Sequence, residues 1–264
     1  MPIPKKMPLL LAPLFTFAFC LTGCSASPEA EWTVLPGVPN NPGARFDPVV
    51  RDIEGWQVYI EPALLAGEHT AIGEKSIRML QNHLERVAVL VPEPALTKLR
   101  KVGIWIEVDH PLTEIEPGPY HGGGRWLAEN GWDIRMENCV HVTKASSLLD
   151  RHHMLKHPFV IFHELAHGFH DEQMEGGFNN KLILDAYNNA MSKGLYDQVK
   201  YYKGQTVKAY ATTNQMEYFA ELSEAYFYRN DFYPFLKVEL KEHDPVGYEL
   251  MRKVWGDLDQ ASRD

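Results

Sequence analysis

The sequence predicts an α+β domain, a short set of strands followed by a helix-rich half. Three observations predict it. The first third alternates strand and helix chemistry. A single amphipathic helix, "VIFHELAHGFHDE" at 160–172, carries an unusual polar face. Most of the chain beyond that helix has apolar residues at helical spacing.

Taken in order, "WQVYIEP" at 56–62 reads as a strand, "AIGEKSIRMLQNHLERVAVLV" at 71–91 as an amphipathic helix, and "VGIWIEV" at 102–108 as a second strand. A Pro/Gly-rich loop, "HPLTEIEPGPYHGGGRW", leads to a further strand, "NCVHVT" at 138–143, and then to the polar-faced helix, with Pro158 in its first turn. His152, His153 and His157 precede that helix and read as loop residues. Beyond it come a helix from Lys181 to Ser192, a hairpin turning near Lys203 and Gly204, a long helix in "NQMEYFAELSEAYFYRN", and a closing helix in "PVGYELMRKVWGDL".

The N-terminus is a separate segment. Lys5 and Lys6 precede an apolar run too short for an ordinary membrane span and shaped like a signal-peptide core. It ends in "LTGC", residues 21–24, which resembles the bacterial lipobox, in which the cysteine becomes the acylated first residue. The expected organisation is a lipoprotein-type signal peptide over 1–23, a Pro-rich flexible tether over 24–45 and one domain over 46–264. The protein would then be exported and membrane-anchored through Cys24, with plain secretion as the alternative. With Cys20 removed and Cys24 acylated, Cys139 has no disulfide partner and reads as a buried strand residue. The formal net charge of −9 over 264 residues gives no reason to expect a nucleic-acid partner.

The polar face of the helix carries the chemistry. At about 100° per residue, with His163 at zero, His167 falls near 40° and Glu164 near 100°, while Ile161, Phe162, Leu165 and Phe169 fall on the opposite side. This is H-E-x-x-H: two imidazoles one turn apart for a Zn²⁺ ion and a glutamate placed to take a proton from a zinc-activated water. A catalytic zinc needs a third protein ligand. The metzincin extension is excluded, because His170 and Gln173 stand where glycine and histidine are required; His170 reads as a supporting or solvent-facing histidine. A better source is the downstream helix, where Glu217, Glu221 and Glu224 recur at i, i+4 and i+7 among apolar neighbours that argue for burial. Spacing alone does not choose between Glu217 and Glu221, which lie about 40° apart.

"HELAH" followed by "YATTNQMEYFAE" resembles the catalytic domain of anthrax lethal factor and its secreted bacterial relatives, zinc peptidases of the glutamate-zincin kind, over about residues 155–230. The resemblance implies a zincin-like metallopeptidase domain acting on a protein or peptide substrate. It implies His163, His167 and Glu217 as zinc ligands, Glu164 as the base, Tyr210 facing the substrate oxygen, and Glu221 orienting a metal-bound histidine. Tyr218 stands where the family often has phenylalanine, with no chemical consequence. A reading from another class is a metal-stabilised envelope protein that binds a partner and cleaves little; an intact Glu164 weighs against it. "HGGG" at 121–124 is similar to the oxyanion loop of α/β-hydrolases, but the chain has no G-x-S-x-G. The glycines read instead as a turn on the cleft rim, with Tyr120 and His121 as candidate substrate contacts.

Overall fold

The computed structural model describes residues 33–112 and 118–256. The leader, Cys24 and the start of the tether lie outside the described residues, as do positions 113–117 of the Pro/Gly-rich loop.

Short strands of alternating chemistry build one mixed sheet. Strand β2 (Val49–Ile53) turns into β3 (Trp56–Ile60) through Glu54 and Gly55, both at positive φ, the conformation that a two-residue hairpin loop demands and glycine supplies without strain. Helix α1 (Thr70–Leu90) and the short α2 (Ala95–Leu99) carry the chain to β4 (Gly103–Ile106), parallel to β3. Strand β6 (Cys139–Val142) is parallel to β4, and β5 (Tyr120–His121) adds antiparallel to β6 as an edge. With β1 (Thr33–Val34) on the far edge, the order is β1-β2-β3-β4-β6-β5.

The pleat divides the core. Ile104, Ile106, Val140 and Val142 belong to the main core with α1 and with α5 (Val160–Gln173). Trp105 and Cys139, on the alternate positions, pack with Leu127, Trp132 and Met136 in a second, smaller core. Helix α3 (Gly124–Glu129) supplies Leu127. The second half comprises α6 (Lys181–Ser192), a small hairpin of β7 (Val199–Lys200) and β8 (Thr206–Val207), α7 (Gln215–Phe227), α8 (Lys237–His243) and α9 (Pro245–Trp255). Trp255 locks it to the site helix, lying within 5.6 Å, ring centre to ring centre, of Phe162, Phe169, Phe219 and Phe227.

Three expectations change. The segment assigned to the tether is laid against the domain from Thr33 onward: Thr33 pairs with Val50, Asn41 donates to Asp133 at 2.6 Å, and Arg45 pairs with buried Glu107. Gly43 crosses so close to the Trp132 backbone that a Cβ there would stand 2.0 Å from its carbonyl carbon. Such a strap is held by isolated anchors and has no period to detect. His152 and His153 are helical, in α4 (Arg151–Lys156), with His157 just past its end; Asp150 caps the helix, accepting from the His153 amide at 2.9 Å. Pro158 lies just before the Phe159 cap of α5 and not in the helix itself.

Candidate metal centre

Helices α5 and α7 face one another along their polar stripes. Asn214 caps α7: its side-chain oxygen accepts from the Met216 and Glu217 amides at 2.9 Å each, which seats Glu217 in the first turn. Glu217 Oε2 then lies 3.1 Å from His163 Nε2 and 3.3 Å from His167 Nε2. Donors about 2.0–2.1 Å from one ion at tetrahedral angles stand about 3.3–3.4 Å apart, so this two-histidine, one-carboxylate set fits a catalytic Zn²⁺. Burial pushes the Glu217 carboxyl up, but hydrogen bonds to His163 and His167 outweigh it and hold the carboxyl well below the usual range.

The remaining groups converge on this triad. The Tyr210 hydroxyl, on a 3-10 turn (Tyr210–Thr212) just before α7, donates to Glu217 Oε1 at 3.2 Å. Burial and the neighbouring Glu217 carboxylate push the hydroxyl up to about 12, so it remains a donor at neutral pH. Glu164 Oε2 accepts the backbone N–H of Tyr120 at 2.9 Å, joining the H-E-x-x-H helix to edge strand β5. The groups open on a cleft of about 670 Å³.

Behind the triad the acid that contacts a candidate ligand histidine differs from the one expected. Glu224, not Glu221, reaches His163: its Oε1 lies 2.7 Å from His163 Nδ1 and 2.8 Å from His157 Nε2. Glu221 instead accepts from Asn230 Nδ2 at 2.9 Å. Helical geometry explains the exchange, since seven residues end about 20° short of two full turns whereas four overshoot one turn by about 40°. Glu224 is therefore nearer the meridian of Glu217. Burial raises both carboxyls, but the His157 and His163 imidazoles bring Glu224 down to about 2, while Glu221, beside Asp231 and Glu224, is held well above the usual range.

Other histidines stand apart. His170 is buried against Phe178 and Phe219, and neither ring nitrogen has a hydrogen-bond partner, so it is a core residue and not a supporting or solvent-facing one. His121 points through the sheet, away from the cleft, to meet His141 at 3.1 Å beside Trp132. Tyr120 lines the cleft, its hydroxyl 3.2 Å from Asp171. The Cys139 thiol is buried and pushed up to about 12, an inert strand residue. Glu224, His157 and the Asn214 cap are what sequence reasoning missed or misassigned. The seven-residue spacing from Glu217 and an asparagine three residues before it were the available signals.

The donor set fits a metal-binding hydrolytic centre. A sequence model of the family described as glucose-regulated metallo-peptidase M90 matches residues 128–255, a span that includes α5, Tyr210 and α7. The chain is similar to that family there, and the match supports a metallopeptidase. This family is described differently from the one the motifs resemble; the two have metal-dependent peptide hydrolysis in common. No curated protein matches the chain. Among solved structures it is similar to the Pro-Pro endopeptidase PPEP-2 from Paenibacillus alvei, at 17% identity over 77% of this chain and 99% of that chain, with a TM-score of 0.40. That likeness is too low to bear on function.

Proposed function

We propose that this chain is an exported zinc metallopeptidase. The observation that carries the reading is the spacing of three donor atoms, Glu217 Oε2 at 3.1 and 3.3 Å from the Nε2 atoms of His163 and His167. These residues would hold the ion, and the Glu224 carboxylate, accepting from His163 Nδ1, would leave the His163 Nε2 lone pair for it. A bound Zn²⁺ would supply Lewis acidity, making a water nucleophilic and polarising the scissile carbonyl.

The chain's own residues do the rest. Glu164 takes the proton of the attacking water on its carboxylate and returns it to the leaving amine. Its hydrogen bond to the Tyr120 amide fixes that carboxylate against the strand at the cleft edge. Tyr210 turns from Glu217 to donate to the carbonyl oxygen as negative charge develops there. Tyr210 is 47% exposed, which leaves room for the movement. Digestion of a peptide library by the purified chain, with and without chelator, tests the reading: chelator-sensitive cleavage restored by zinc is expected, and intact peptides in the zinc-loaded sample would overturn it. The "LTGC" sequence supports export with acylation at Cys24 as part of the same proposal.

A further inference from the structure

One end of the cleft holds a cation, Lys156, that the hydrolytic step does not use. Residues 151–157, Arg-His-His-Met-Leu-Lys-His, contain two permanent cations, three imidazoles and no acid, in a chain whose formal net charge is −9. His152, His153 and Lys156 of α4 line the cleft. Among the described residues no carboxylate closes an ion pair with the half-buried Lys156 ammonium, and the buried His153 Nδ1 has no hydrogen-bond partner. Asp231, which lines the same cleft and acts electrostatically on Lys156 and His157, is 2% exposed. The wall is held in place by the Asp150 cap, by Arg229 donating to the Leu155 carbonyl at 2.9 Å, and by His157 clasping Glu224. At the other end, toward the C-terminal half of α5, the lining is apolar: Phe178 lies edge-on to His170, and Met216 precedes the ligand carboxylate.

We propose that the α4 wall is a carboxylate-binding subsite, in which Lys156, with His152 and His153 as imidazole donors, receives an acidic side chain beside the scissile bond. The Phe178 and Met216 end then takes an apolar residue on the other side of that bond. Lys156 determines specificity: among the described residues lining the cleft it is the one permanent cation available to a substrate carboxylate. The inference rests on the peptidase reading for its substrate but not for its measurement.

Binding is measured on the full-length Glu164→Gln variant loaded with zinc, using fluorescent peptides that differ only in Glu, Gln or Lys beside an apolar residue. The Glu peptide should bind about fivefold or more tighter than its Gln counterpart, the size of one partly shielded charge pair, and lose that margin at high salt. Lys156→Gln should erase the margin and Lys156→Glu should transfer it to the Lys peptide, with zinc content unchanged in both. Equal binding of the three peptides, or a margin that survives Lys156→Glu, overturns the subsite. Each peptide is also tested with its C-terminus amidated. A margin that survives amidation assigns the carboxylate to a side chain, whereas one that disappears assigns it to a chain end and overturns the side-chain form. Cleavage by the unmutated chain is scored separately. Absence of cleavage with the binding margin intact removes the peptidase reading alone, and cleavage without preference for an acid removes the subsite alone.

Discussion

Glu224 Oε1 lies 2.7 Å from His163 Nδ1, from a helix position two turns beyond the proposed ligand Glu217. A carboxylate there selects the tautomer and pins the ring of a metal-binding imidazole. Glu224→Gln should therefore weaken zinc affinity by about 10- to 100-fold, while Glu221→Gln, whose carboxylate is hydrogen-bonded to Asn230 and not to His163, should stay within a few-fold. Competition against a chromophoric chelator measures both. The reverse ranking would return the role to Glu221.

The triad and the groups above it should separate by what they damage. Glu217→Gln and His167→Ala should abolish tight zinc binding, whereas the unmutated chain should hold close to one zinc. Glu164→Gln should keep the metal and lose about 100- to 10,000-fold in turnover. Tyr210→Phe should also keep the metal and lose about 2.7–4 kcal/mol of transition-state stabilisation. Metal analysis beside steady-state kinetics checks each. A Tyr210→Phe enzyme of undiminished kcat would exclude the tyrosine from the reaction.

Asn214 makes a prediction about stability. Its side chain satisfies two amides at the start of α7, so Asn214→Ala should cost about 0.5–2 kcal/mol. Because the second of those amides is that of Glu217, zinc affinity should fall with it. Denaturant unfolding without metal isolates the first effect, and chelator competition the second. Unchanged stability would mean that the cap is dispensable.

Five histidines set the acid response. Burial holds His83, His110 and His170 at about 4, and His121 and His141, which also face one another, at about 3. The unfolded chain binds protons on these rings near pH 6.5 and the folded chain does not, so unfolding takes up protons between these values. Their contribution to stability is fully present above about pH 6.5 and is lost as pH falls toward 4 and 3. Each proton taken up adds about 1.4 kcal/mol per pH unit to the slope, so urea unfolding between pH 6 and 5 should show a slope of more than one proton. A flat profile in that window would contradict the burial of these rings.

Export makes the fifth prediction. The mature chain should begin at Cys24, carry acyl groups and partition with membranes. Mass spectrometry of the N-terminus decides it, and a soluble chain beginning at Ser27 would point to plain secretion.

The helices that build the site were legible because each carries a long apolar stripe: Ile161, Phe162, Leu165 and Phe169 mark α5, and Phe219, Leu222 and Tyr226 mark α7. The H-E-x-x-H motif placed His163 and His167 on the polar flank of α5, the family resemblance pointed to Glu217 on that of α7, and the structure brings the three together. The choice between Glu221 and Glu224 was legible only in part: the seven-residue spacing puts Glu224 nearer the meridian of Glu217, but how far along its axis α7 meets α5 leaves no trace in one helix's sequence. Strand β2 escaped because "VVRDI" is too short and too charged to show alternation, and its existence rests on pairing with β3. Helix α4 escaped because its six residues bury none of their own side chains fully.

The strap that runs from Thr33 to Arg45 also sets a leash length. If Cys24 is held in a membrane, the domain is joined to it by the nine residue steps from Cys24 to Thr33, which span about 30 Å when fully extended. A tether free as far as Arg45 would span more than twice that. Under that anchorage the shorter leash would confine the cleft to a thin shell above the lipid, favouring substrates held at the same surface over those diffusing beyond it.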